Sequence, residues 1–170
     1  MLKLLGAVLL TGGGLTLGLK AVGGLVRRAE ALSAFSAALG LLEGELALRS
    51  PPMPDLLDIL ARQAKPPAAE FFDACGRGLA GLGESSFREI WARALESLEG
   101  ALDREDRDIL LELGPVLGRY DGEEQRRAVS GVRQRLAGQE KLVRDKLRRE
   151  GRAYGTLGLT LGLFLTILLL

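Results

Sequence analysis

The 170-residue sequence contains no histidine and only one cysteine, Cys75. Catalysis through Ser-His or Cys-His pairs needs an imidazole, so those reaction classes are excluded. Zinc, copper and haem sites depend on His or clustered Cys ligands, and we expect no metal site and no cofactor. Only carboxylate-bound Mg²⁺ or Ca²⁺ stays open. A lone thiol forms no internal disulfide, which fits a reducing compartment.

A second absence is any run of alternating apolar and polar residues, the pattern of half-buried strands. Apolar residues instead recur three and four positions apart, which predicts helices. Prolines at 51, 52 and 54 and at 66–67 divide these helices, because proline lacks a backbone donor. We therefore predict an all-α fold: an antiparallel bundle of about six helices over residues 27–152, with transmembrane helices at 1–26 and 153–170.

Charge is missing from the C-terminal end of the chain. All 22 acidic residues lie between Glu30 and Glu150, and no charged residue follows Arg152. Residues 153–170 have the length of a lipid-spanning helix, and their threonine hydroxyls can bond to the preceding turn. We expect a spanning helix here, continuous with the helix before it.

The N-terminal end is also nearly uncharged. The sixteen residues 4–19 rise about 24 Å as a helix, slightly less than the roughly 30 Å hydrocarbon core. Lys3 and Lys20 can extend this span by placing their ammonium groups at the interfaces. A cleaved signal peptide is the alternative, but Lys20 stands where a neutral cleavage region belongs and no A-x-A site follows. We expect a retained anchor in residues 1–26.

Positive charge is concentrated beside both apolar ends, which predicts that the middle of the chain is cytoplasmic. The same charges should lie well against anionic head groups. Acids interrupt the basic run and no aromatics interleave it, so we predict no nucleic-acid partner. The flanking basic residues are Arg27 and Arg28 after the first apolar segment, and Lys141, Arg144, Lys146, Arg148, Arg149 and Arg152 before the second.

Two spacings predict capped helix starts: Ser86 with Glu89, and Asp121 with Glu124. The segment DREDRD, residues 103–108, resembles a calcium loop but lacks the spacing and central glycine of an EF-hand. Its alternating charges instead predict a solvent-exposed helix start, and the apolar residues that follow predict a helix reaching Gly118.

The charged turn at residues 118–125 could hold an acid/base pair or Mg²⁺. Two of its carboxylates already serve as predicted caps, and neighbouring arginines favour the ionised forms. We interpret the turn as a capped helix junction and a candidate partner-binding surface. The predicted surface residues are Arg119, Asp121, Glu123, Glu124 and Gln125.

Two glycine pairs have the small-xxx-small spacing that lets membrane helices approach closely: Gly14 with Gly18, and Gly158 with Gly162. We predict that they pack the transmembrane helices, within one chain or in a homo-oligomer. Trp91 is predicted to be a core anchor, with an exposed interface position as the alternative.

Four segments resemble the stage III sporulation protein AB family: MLKLLGAVLLTGG, FREIWARAL, LGPVLGRYDGEEQ and YGTLGLTLGLFLTILLL. The resemblance covers almost the whole chain, and residues 45–82 depart most. It implies a two-pass protein of the outer forespore membrane, part of the channel complex between mother cell and forespore. The implied fold is an antiparallel bundle similar to the inner-membrane platform protein of type II secretion.

The resemblance also implies partners. Facing the mother-cell cytoplasm, the bundle would dock a cytoplasmic ATPase, stage III sporulation protein AA, together with other sporulation channel components. We therefore expect a non-enzymatic platform. The alternative is a pore-lining or assembly subunit, although the apolar segments carry no polar stripe beyond threonines. The lack of histidine and of a convergent polar cluster disfavours a membrane-bound enzyme.

Overall fold

The computed structural model describes the backbone of residues 2–49, 51–81, 85–117 and 122–169, and the side chains of 22–49, 51–80, 85–117 and 122–150. Within these residues the chain is helical and no strand forms, which confirms the predicted all-α fold. A 3₁₀ turn, Leu79–Gly81, follows the third helix. The α-helices are α1 (Leu2–Leu48), α2 (Met53–Gln63), α3 (Ala68–Gly78), α4 (Phe87–Glu96), α5 (Arg104–Leu111), α6 (Leu113–Val116) and α7 (Gly122–Leu169).

Prolines and caps set the helix boundaries as predicted. The breaks after α1 and before α3 coincide with the two proline clusters, which end or begin helices because they lack backbone donors. The Ser86 amide donates to Glu89 Oε2 at 2.9 Å, and the Glu89 amide donates to Ser86 Oγ at 3.4 Å. This reciprocal pair confirms the capping box at the start of α4.

The two long helices, α1 and α7, pack against each other in antiparallel directions. Near one end Arg28 Nη2 donates to Gln139 Oε1 at 3.4 Å, and further along Arg133 Nη2 lies 3.2 Å from Glu43 Oε2. The backbone of α7 runs without a break to Leu169, as predicted. The buried residues on the facing sides repeat four and three positions apart: Leu32, Phe35, Leu39, Leu42 and Leu46 on α1, and Val129, Val132, Leu136 and Val143 on α7.

The middle of the core is aromatic. Phe71 contacts Phe35 and Trp91 edge to face, with ring centroids 5.4 and 4.7 Å apart. The Trp91 indole is completely buried, and its Nε1 donates to the Leu110 carbonyl at 2.9 Å. Because a buried indole donor needs a partner, this bond ties α4 to α5. The prediction of a core anchor is confirmed, and the exposed alternative is wrong.

The predicted continuous helix from α5 to Gly118 is wrong. The helix ends at Leu111, and α6 forms a separate short helix. Pro115 has no amide hydrogen and cannot bond to the Leu111 carbonyl, so it interrupts the ladder at that point. At Gly114 an added Cβ would lie 3.2 Å from Trp91 Cδ1. The absence of a side chain there lets α6 lie directly on the indole.

One apolar helix of the described part is long enough to cross a membrane. This stretch, Val22–Leu48, passes by length and composition, but 44% of its most apolar window is buried inside the bundle. Length and composition are therefore weak evidence for a span, and the buried residues of this stretch, such as Leu32, Phe35 and Leu39, pack in the core of the bundle. The spans predicted at 4–19 and 153–170, with their glycine pairs at Gly14/Gly18 and Gly158/Gly162, lie outside the described side chains.

The contact between α6 and the indole predicts opposite effects of two Gly→Ala changes. Gly131→Ala on α7 meets no atom within 4 Å and should stabilise the chain by about 0.5–1 kcal/mol, because alanine favours helix. Gly114→Ala should destabilise by about 1–3 kcal/mol through overpacking against Trp91. Urea unfolding in detergent micelles, followed by the fluorescence of the single tryptophan, measures both. Equal stabilisation by the two changes would contradict the contact.

Candidate functional site

The predicted docking turn is described from Gly122 onward, where α7 begins. Glu123 and Glu124 are exposed, and Arg126 Nη2 donates to both oxygens of Glu123 at 2.9 and 3.2 Å. An exposed pair of this kind contributes little stability, so the carboxylate stays available to a partner. Arg119 and Asp121 lie outside the described residues, so the predicted cap is not described.

Gln125 differs from the other residues predicted for this surface. Its side chain is only 8% exposed and lies one helical turn before the buried Val129. It therefore occupies the core-facing side of α7 and contributes to packing. In the described part of the turn, Glu123 and Glu124 are the predicted residues that solvent reaches.

An open groove of about 640 Å³ lies at the same end of the bundle as this junction. The first turns of α2 and α4, the 3₁₀ turn after α3 and the α6 segment form its walls. Glu89 on its rim is engaged in the α4 cap, whereas Arg88 is exposed. Its apolar lining consists of Met53, Pro54, Leu79, Phe87, Pro115 and Leu117. The groove thus combines an apolar floor with a rim that carries one basic and one acidic residue, Arg88 and Glu89.

A second polar cluster joins three helices near the opposite end. The completely buried Asp106 on α5 accepts two hydrogen bonds from Arg28 on α1: Nε to Oδ2 at 2.7 Å and Nη2 to Oδ1 at 3.0 Å. Arg28 also pairs with Asp103 through Nη1 and contacts Gln139 of α7. One guanidinium therefore connects α1, α5 and α7.

The geometry of this cluster compensates the buried charge. Asp106 Oδ2 also accepts the Asp103 amide at 3.1 Å, so both carboxylate oxygens are engaged. The hydrogen bond to Asp106 is the main cause that raises the pKa of Arg28, the charges of Asp106, Asp103 and Glu105 add to it, and burial opposes it. The prediction that residues 103–108 form a solvent-exposed helix start is wrong at Asp106.

The spacing between Asp106 and the apolar residues of α5 could have revealed this cluster from the sequence. Asp106 precedes the buried Ile109 and Leu110 by three and four residues, so it lies on their face of the helix. Arg28 precedes Leu32 by four residues on α1 in the same way. Each charge therefore sits at a core position of its own helix, and reading DREDRD as a charge pattern alone missed this.

A further ion pair ties α7 to the α5–α6 connection. Arg135 Nη1 donates to Glu112 Oε2 at 2.6 Å and to Oε1 at 2.7 Å. The hydrogen bond to Glu112 raises the pKa of Arg135, although both groups are open to solvent. Glu112 lies between α5 and α6, where the helical hydrogen bonds of the backbone are interrupted.

The one thiol is not a reactive group. Cys75 is completely buried, and burial raises its pKa to about 12. It is protonated at neutral pH and unsuited to act as a nucleophile. In the part of the chain that the structure describes, no three carboxylate or thiol groups converge as a metal site would require.

Comparison with known proteins gives a family and a fold. The profile of the family described as stage III sporulation protein AB matches residues 3–170. No curated protein sequence matches significantly. A solved structure titled "Stage III sporulation protein AB (SpoIIIAB)" is similar at a TM-score of 0.63 and 22% identity, over 72% of this chain and 97% of that one. At this identity the structural likeness shows the fold alone.

The three-helix cluster predicts a large stability effect. Asp106→Asn removes the buried carboxylate that accepts two hydrogen bonds from Arg28 and leaves the guanidinium only its ion pair with the exposed Asp103. Losing this buried partner should cost about 3–5 kcal/mol. The matched change Asp58→Asn removes an exposed partner of Arg62 and should cost no more than about 1 kcal/mol. Urea unfolding of the chain in detergent micelles measures both. Equal small losses of stability would show that the Arg28–Asp106 pair does not stabilise the packing of these helices.

Proposed function

Because the chain belongs to the stage III sporulation protein AB family, we propose that it is a non-enzymatic, membrane-anchored platform whose bundle docks a cytoplasmic ATPase. The platform would serve a secretion-like sporulation complex between mother cell and forespore. Membership supports a component of a sporulation complex, and the membrane and docking roles are our extension. The expected ATPase is stage III sporulation protein AA.

The antiparallel packing of α1 and α7 carries the proposal. Gly24 and Arg28 of α1 line the same cleft as Lys146 and Glu150 of α7, so both helices leave the bundle at one end. Beyond this end α1 continues back to Leu2 and α7 onward to Leu169 as helical backbone with apolar sequence. A hydrocarbon core accepts such segments because helices satisfy their own backbone groups. We infer two spans of the outer forespore membrane, with the bundle in the mother-cell cytoplasm.

The apolar extensions of α1 and α7 beyond the bundle are called the apolar arms below. The end of the bundle away from the apolar arms is the proposed docking end. It presents the exposed Glu123 and Glu124 at the start of α7, and the groove whose lining ends at Leu117, the last described residue before the junction. A partner there could combine apolar burial with charge matching, the usual composition of a specific interface. A platform in the membrane would place this end farthest from the lipid, where a soluble ATPase has access.

The polar groups of the described core support a binding role over catalysis. Asp106 has both oxygens engaged by Arg28 and the Asp103 amide, and burial keeps the Cys75 thiol protonated. Neither group is poised for proton transfer or attack on a substrate. The docking surface is therefore the feature to test.

Charge reversal at the α6–α7 junction tests docking. The double change Arg119→Glu with Glu123→Lys keeps the net charge and should alter stability by no more than about 0.5 kcal/mol per substitution. Binding of the ATPase should weaken at least tenfold, because reversed charges face unmatched partners. Titration of the full chain in lipid nanodiscs with the purified ATPase, at low and high salt beside a thermal melt, measures these quantities.

The matched control is the exposed pair Asp58 and Arg62 on α2, reversed as Asp58→Lys with Arg62→Glu. It carries the same two charge changes away from the junction and should bind as the unaltered chain does. Normal ATPase binding by the junction variant, with a normal melt, would place the docking surface elsewhere. Equal weakening of ATPase binding by both variants would show that the effect is not specific to the junction.

A further inference from the structure

Some basic residues at the end of the bundle from which the apolar arms emerge form ion pairs within the protein, and others do not. Lys146 on α7 lies 3.9 Å from Glu150, and Arg144 Nη2 lies 2.7 Å from Glu140. Arg28 on α1 is engaged by Asp106 and Asp103. These three basic residues are therefore matched by acids within the protein.

Three arginines at this end are left without an acidic partner among the described residues: Arg27, Arg148 and Arg149. All three are exposed, and Arg149 makes only a 3.4 Å hydrogen bond from Nε to the Asp145 carbonyl. The antiparallel packing that joins α1 residue 28 to α7 residues 146–150 brings the three to one rim of the bundle. We call them the rim arginines.

We propose that the rim arginines bind the headgroups of anionic phospholipids, so that the platform selects the lipids around its arms. This inference rests on the proposed membrane anchoring. The guanidinium group suits the ligand, because its planar fork of donors matches the oxygens of a phosphodiester. Arg27, Arg148 and Arg149 are exposed and form no ion pair among the described residues, so their guanidinium groups are available for this contact.

The rim lies within electrostatic reach of the lipid surface. Arg149 precedes the uncharged C-terminal segment by four residues, about 6 Å along a helix. That separation is shorter than the Debye length of about 8 Å at physiological salt. Arg27 directly follows the uncharged stretch AVGGLV of α1. A basic residue at such a distance favours an anionic surface on the order of fivefold.

Lipid selectivity of the full chain tests the proposal. The chain is reconstituted in phosphatidylcholine vesicles, and electron spin resonance measures the association of spin-labelled phosphatidylglycerol relative to spin-labelled phosphatidylcholine. We expect a preference for phosphatidylglycerol on the order of fivefold. The triple change Arg27→Gln, Arg148→Gln, Arg149→Gln should bring the ratio close to one. Salt near 1 M, where the Debye length is about 3 Å, should have a similar effect on the unaltered chain.

A matched triple variant, Arg49→Gln, Arg88→Gln, Arg93→Gln, removes three exposed arginines away from the rim. It should keep the full preference. Equal loss in both variants would assign the preference to net charge and overturn the rim as a site. A chain that inserts but shows no preference overturns the lipid proposal while leaving the anchoring intact. A chain that inserts into no vesicle overturns the anchoring and the lipid proposal together.

Discussion

The buried pair of Arg28 and Asp106 is the constraint from which the arrangement of the bundle follows. A buried charge is costly without a partner, and Asp106 meets Arg28 only when α1 and α5 hold the observed register. Gln139 of α7 contacts the same guanidinium. Apolar side chains repeating every three or four residues would tolerate a slip by one heptad far better. The pair therefore contributes specificity of alignment more than net stability. Gln139 accepts a hydrogen bond from Arg28 and adds a polar contact on α7 to this alignment.

Fixing this register separates two ends with different chemistry. One end bears the rim arginines and continues into apolar helix on both α1 and α7. The other bears the groove beside Phe87 and Pro115 and the exposed carboxylates at the start of α7. Between the two ends lies α5. Its Asp106 binds Arg28, and its Leu110 carbonyl accepts the hydrogen bond from Trp91. The proposed lipid contact and the proposed partner docking would then lie at opposite ends of the bundle.

Much of the fold follows from local rules in the sequence. Proline clusters and the Ser86 capping box set boundaries through backbone donors, which depend only on neighbours within a few residues. The Arg28–Asp106 pair joins residues 78 apart, so no local rule contains it, although the register of each helix places its charge in the core. The candidate site was predictable in part: Glu123 and Glu124 are exposed as expected. The burial of Gln125 and the groove depend on how separate helices meet.

The central claim is that the α1–α7 pair sends both apolar arms across one membrane in opposite directions, leaving the bundle on the cytoplasmic side. Labelling of single cysteines by a membrane-impermeant maleimide in intact bacterial protoplasts tests this directly, because buried Cys75 gives no background. Lys3→Cys and Leu170→Cys should label in intact cells. Gly131→Cys, at an exposed position in the first third of α7, should label only after lysis. Labelling of Gly131→Cys in intact protoplasts, or labelling of only one of the two arm ends, would contradict the account.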